Sequence, residues 1–112
     1  MIQTNSNSLE GKFIHQVYFW LIDQEEPTNK TALLEGLQQL SAIPEILHFN
    51  IGSPAATRRD VIDSSYSVSW LAVFSSAEDQ DIYQEHPIHL DFVASCSHLW
   101  NKVIVYDSLA AG

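Results

Sequence analysis

A phenol and two imidazoles lie close together in the run Tyr83-Gln84-Glu85-His86-Pro87-Ile88-His89. Imidazole takes up and releases a proton near neutral pH, and a phenol can donate a hydrogen bond to an oxyanion as it forms. The grouping therefore fits proton transfer at a carbon next to a carbonyl, chemistry that needs neither cofactor nor metal. The same three side chains also serve as capping and packing groups wherever two helices meet at a corner, so residue type alone does not choose between the roles.

Metal ligation is a rival use, because His86 and His89 stand near Glu85 and Asp91. His86 precedes Pro87 and so falls outside the helical register that would align it with His89, and no metal site is expected. The proline also sets the local structure. It is tolerated in a first helical turn, where its missing N–H would have no partner, so one helix ends near Glu85 and another begins at Pro87. His89 then lies in the first turn of the second helix, where the positive end of the macrodipole disfavours imidazolium and keeps the ring available as a base.

The elements that must hold these groups follow from periodicity. Phe13 to Leu21 is dense in aromatic and β-branched residues and reads as a strand. His15, Val17, Phe19 and Leu21 share one of its faces, and Ile14, Gln16, Tyr18 and Trp20 the other. Leu33, Leu34, Leu37 and Leu40 form a helical stripe within Lys30 to Leu40. Pro44 bars its continuation, and Ile46 to Ile51 forms a second strand closed by Gly52. A Ser/Pro/Ala/Thr/Arg loop runs to about Ser65, and a third strand spans Tyr66 to Phe74. Ser75 and Ser76 before Glu78 and Asp79 give a capping pattern for a helix ending near Glu85. The helix from Pro87 carries Phe92, Val93 and Cys96 as its apolar side and leads to a last strand, Lys102 to Tyr106.

That order predicts an α+β domain, a ferredoxin-like four-stranded antiparallel sheet with helices on one face. Tyr18, Trp20, Leu71 and Val73 then make the helix-free face apolar, and a face of that kind calls for a partner. A homodimer through this face, two sheets meeting as a dimeric α/β barrel, satisfies it. Any ligand cavity lies on the other side, between sheet and helices. Residues 13–107 form the domain, 1–12 a flexible arm and 108–112 a frayed tail.

Composition narrows the function classes. The chain has 112 residues, with 14 acidic against 5 basic and a net charge of −9, which argues against a nucleic-acid surface. The adjacent Arg58 and Arg59 read as a solvated loop feature. Cys96 is the single cysteine, so no intrachain disulfide forms, and its apolar neighbours predict a buried, inert thiol. No run has the length of a signal-peptide core or a membrane span, and a cytoplasmic protein without membrane contact is expected.

The runs His15-Gln16-Val17-Tyr18-Phe19, Ile43-Pro44-Glu45-Ile46 with Gly52, Phe74 to Asp79, Tyr83 to His89, and Trp100 ahead of Asp107 are together similar to the stress-responsive α/β-barrel (Dabb) family. The resemblance covers about residues 13 to 107, and the tyrosine before His-Pro-x-His is its most specific element. It implies a ferredoxin-like subunit in a dimeric barrel. A plant branch of the family resembles polyketide cyclases, cofactor-free enzymes that close a ring by aldol condensation. By that resemblance Tyr83 and His89 match the working pair and His15 a supporting histidine, whereas Val68 stands where that branch has a further pocket histidine.

Three readings follow. The first is a homodimer that binds a small apolar or aromatic ligand without catalysis, with Phe19, Val68, Trp70, His86 and Phe92 as candidate ligand-binding residues. The second is a cofactor-free lyase or cyclase acting on a small keto substrate. There His89 abstracts the proton, Tyr83 donates to the enolate oxygen and His15 orients them. The third, a cofactor-independent monooxygenase, rests on fold analogy and needs a substrate that itself activates oxygen.

Overall fold

The computed structural model describes residues 7–111. β1 (Phe13–Leu21), α1 (Pro27–Leu40), β2 (His48–Gly52), β3 (Val68–Phe74), α2 (Ala77–Glu85), α3 (Pro87–Cys96) and β4 (Trp100–Ser108) follow one another, with a 3-10 turn at Ser97–Leu99 before the last strand. The strands form one sheet in the order β2-β3-β1-β4, every pair antiparallel. This is the ferredoxin-like arrangement, with β1 in the centre where it meets both β3 and β4.

Alternation along β1 sorts its side chains as their chemistry requires. His15, Val17, Phe19 and Leu21 are buried against the helices, while Ile14, Gln16, Tyr18 and Trp20 are half-buried on the far face. The helix layer answers with Leu33, Leu37 and Leu40 of α1 and Phe92 and Cys96 of α3, all buried. Burying each of the leucines stabilises the fold by roughly 2 kcal/mol.

Several boundaries differ from those read in the sequence, each for a local reason. α1 begins at Pro27 because the Glu26 carboxylate caps it, accepting from the Thr28 amide at 3.3 Å and the Thr28 hydroxyl at 2.8 Å. β2 begins at His48 because Ile46 is held in a turn by the Ile43 carbonyl. β3 begins at Val68, since the Ser67 hydroxyl takes the Leu21 amide that a longer ladder would use. β4 is longer at both ends, pairing with β1 from Leu21↔Trp100 to Ile14↔Ser108 around a bulge at Trp20/Leu21.

The break between α2 and α3 falls where Pro87 places it. His86, with φ −64° and ψ 139°, is extended and ends one helix while capping the next. Ser76 caps α2 by accepting from the Asp79 amide at 3.2 Å.

On the helix-free side, part of the loop after β2 folds back over the sheet. Tyr66 packs edge-on against Tyr18 with ring centroids 5.0 Å apart, and the Trp20 indole N–H donates to the Ser65 hydroxyl. Of the expected N-terminal arm, residues 1–6 lie outside the described residues. Among the described residues no helix is long and apolar enough to cross a membrane.

Candidate functional site

Four elements bring polar groups together on the helix side of β1. His15 reaches this side because it shares the inward-facing register of Val17 and Phe19. Asp107 of β4 stands directly opposite His15 across the ladder, and its Oδ1 lies 2.6 Å from His15 Nδ1. Tyr83 comes from the last turn of α2 and His89 from the first turn of α3, the break at His86 folding one over the other. The Tyr83 ring lies 4.8 Å from that of His89 and 5.6 Å from that of His15, centroid to centroid.

These groups line a cavity of about 140 Å³ whose walls include Val17, Phe19, Trp70, Phe92 and Trp100. Val93 of α3 and Val103 and Val105 of β4 also line it and are exposed, so the cavity opens between α3 and the edge strand. Its polar atoms are only partly matched. Trp70 Nε1 donates to the Tyr83 hydroxyl at 3.2 Å, and among the described residues nothing accepts the proton of that hydroxyl. His89 Nδ1 is buried without a hydrogen-bond partner. An ionised Asp107 accepts from Nδ1–H of His15, which leaves the lone pair on Nε2.

Burial sets the protonation states. Tyr83, 1% exposed, is held well above its ordinary range by desolvation, which the Trp70 hydrogen bond opposes and the Asp107 charge reinforces. The phenol is therefore a donor, not a phenolate. His89 is pushed below its ordinary value of 6.5 by desolvation first and by the nearby His15 second, against a hydrogen bond to the Gln84 backbone. The neutral ring expected from the helix terminus thus has burial as its chief cause.

Of the residues singled out in the sequence, Tyr83, His89, His15, Phe19, Trp70 and Phe92 meet at this cavity. His86 does not join them: its Nδ1 accepts from the Ile88 amide at 3.1 Å, a helix cap. Val68 also stays out; it is fully buried in the core, paired with Phe19. Asp107, to which no role was given, belongs to the site, and its signal was its register opposite His15 in an antiparallel pair. Among the described residues no group of three or more His, Cys, Asp or Glu side chains is placed to hold a metal ion.

The profile of the stress responsive A/B barrel domain matches residues 13–110. The chain belongs to this Dabb family. A Dabb protein of ferredoxin-like fold from Mesorhizobium loti is 25% identical over 92% of this chain and 100% of its own, with a TM-score of 0.75. A dimeric ferredoxin-like protein of unknown function from Thermobifida fusca is 18% identical over 96% and 99% of the two chains, TM-score 0.73. A hydroxynitrile lyase from Passiflora edulis is 18% identical over 87% and 91%, TM-score 0.72. The last two likenesses establish the fold alone, and no curated protein matches the sequence. Within the Dabb fold, the polar cluster sits on the helix side of the sheet, away from the face that carries Tyr18 and Trp20.

Proposed function

We propose that this Dabb protein binds a small carbonyl compound in the cavity between sheet and helices and catalyses proton transfer on it, as a cofactor-free lyase or cyclase does. The observation that carries the reading is the His15–Asp107 pair beside a phenol whose proton is uncommitted. In this account His15 Nε2 removes the proton next to the carbonyl, and Asp107 stabilises the imidazolium that results. Tyr83 donates to the oxygen on which negative charge develops, and the burial of the phenol strengthens that bond. His89 stays neutral and presents its unmatched Nδ1 to a second polar group of the substrate. The base is thus His15 rather than His89, because only His15 has a carboxylate partner to hold its tautomer.

The cavity volume of about 140 Å³ is close to the ~150 Å³ that accommodates a benzene-sized molecule. The lyase from Passiflora edulis supports the reading by analogy of fold. A second reading, binding without chemistry, draws on the Trp70–Tyr83 hydrogen bond, which ties the phenol into the core. A monooxygenase reading has only the fold it shares with a putative antibiotic biosynthesis monooxygenase from Chloroflexus aurantiacus.

Assembly is part of the proposal. Similar proteins from Thermobifida fusca, Jannaschia and Bacteroides fragilis are dimeric, and a homodimer here would use the helix-free face around Tyr18, Trp20 and Leu71. The lone thiol of Cys96 accords with a cytoplasmic setting.

A thermal-shift screen of small ketones, aldehydes and phenols against the wild type, Tyr83→Phe and His15→Leu tests the pocket. The proposal expects ligands that raise Tm in the wild type and lose that effect in both variants. Ligands that stabilise all three proteins equally would overturn it.

A further inference from the structure

On the helix-free side of the sheet lies a hollow of about 270 Å³. Its walls are Tyr18 and Trp20 of β1, Ile104 and Tyr106 of β4, and Asp63 and Tyr66 from the loop after β2. Rings make up most of that wall. Tyr66 and Tyr106 both meet Tyr18 edge-on, with centroids 5.0 and 6.2 Å away, and Tyr66 stands edge-on to Trp20 at 6.5 Å. One carboxylate completes it. The Ser65 hydroxyl and amide donate to Asp63 Oδ1 at 2.6 and 2.9 Å and hold the carboxyl below its ordinary value, while Oδ2 accepts from nothing among the described residues.

Electron-rich ring faces beside a negative oxygen suit a cation, and a planar guanidinium above all. The rings already attract one cation: Lys102 Nζ lies 4.4 Å from the centroid of the Trp20 ring. The chain has five Lys and Arg residues. Lys12 and Lys30 are half-buried, and Lys102 is committed to Trp20. Arg58 and Arg59 are exposed, and their side chains have no hydrogen-bonded or ionic partner among the described residues. Neither lines the hollow of its own chain. Val61, two residues further on, is 86% exposed, so the loop offers arginine and an apolar side chain together, a composition suited to an interface. Each copy of the chain carries a net charge of −9. Two copies therefore repel at a distance, and attraction between them has to come from local pairing of opposite charge.

We infer that the hollow receives a guanidinium from the Arg58–Arg59 pair of a second copy, so that each subunit of the homodimer seats an arginine among Tyr18, Tyr66 and Asp63 of the other. The inference rests on the helix-free dimer face proposed above, to which it adds the loop that crosses between subunits. A two-fold axis makes the contact twice. The loop that reads as solvated in the single chain thus becomes the clasp of the pair.

Sedimentation velocity over a concentration series gives the dimer dissociation constant of the wild type, Arg58→Ala/Arg59→Ala, Asp63→Asn and all three substitutions combined. Asp63→Asn keeps an acceptor for Ser65 and removes the charge. Both arginines are exposed, so the variants should stay folded, which their Tm checks. Because the contact occurs twice, the arginine variant and Asp63→Asn should each raise the constant about tenfold. The combination should raise it no further than the arginine variant does. An unchanged constant in the arginine variant, or effects that multiply in the combination, would overturn the inference. Leu71→Arg, measured alongside, tests the face itself. A monomeric Leu71→Arg beside an arginine variant that dimerises like the wild type removes the arginine contact and keeps the face. A wild type that is monomeric throughout, or a Leu71→Arg that stays dimeric, removes both.

Discussion

His15 Nδ1 and Asp107 Oδ1, 2.6 Å apart, belong to residues that face each other across the β1–β4 ladder. Backbone pairing thus fixes which imidazole nitrogen carries the proton, with no loop involved. The two side chains differ in exposure, 5% for His15 and 40% for Asp107. The carboxylate keeps part of its hydration at the cavity's edge while the ring it orients lies inside.

Asp107→Asn should therefore separate activity from stability. The amide can present its N–H to Nδ1 and favour the wrong tautomer, which should lower turnover by about 10²–10⁴-fold. Because one partner is well exposed, denaturant unfolding should change by only about 1 kcal/mol or less. A loss of stability with unaltered turnover would make the pair structural.

Tyr83→Phe has two consequences that a further substitution can distinguish. It removes the oxyanion donor, and it leaves the buried Trp70 N–H without its acceptor, which should cost about 1–3 kcal/mol of stability. Adding Trp70→Phe should return part of that stability without restoring turnover. If the double variant regained activity, the hydroxyl would have served only the indole.

The half-buried His89 makes an acid-sensitive contribution to stability. Its pKa is lower in the folded state than the ordinary 6.5, so below that value the unfolded chain binds more protons than the folded one. Stability should accordingly fall as pH drops through 6.5 toward the depressed folded value, and no such contribution remains above it. His89→Leu should flatten this part of the profile in urea titrations between about pH 7 and 5. An unchanged slope would show that another group carries the acid sensitivity.

The helix-free face gives an assembly prediction. Leu71 pairs with Gln16 and Asn50 on that face and is half-buried in the single chain. Leu71→Arg should convert a dimer to monomer in sedimentation velocity, since an unpaired charge cannot be buried cheaply in a self-complementary interface. A dimer that persists would place the interface elsewhere.

The sequence was most legible where one physical signal dominated. The alternation of His15, Val17, Phe19 and Leu21 assigned β1 and its inner face, and Pro87 marked the corner that brings Tyr83 over His89. Ends were harder to read. The start of α1 depends on a Glu26 cap, and the start of β3 on the Ser67 hydroxyl, interactions that carry no periodic trace. The site was legible in its aromatic and imidazole members but not in Asp107, whose role follows from strand register. His86 shows the converse: as an imidazole beside the motif it looked available to a ligand, yet its position before Pro87 makes it a cap.

The central claim is that His15 and Tyr83 move a proton on a bound carbonyl compound. The most direct measurement is proton NMR of butanone in D₂O with the protein, following exchange at the carbon next to the carbonyl. The account predicts saturable exchange above the buffer rate that disappears in Tyr83→Phe and Asp107→Asn while both variants remain folded. Exchange no faster than buffer, with butanone bound equally by all three proteins, would contradict it and leave the cavity as a binding site alone.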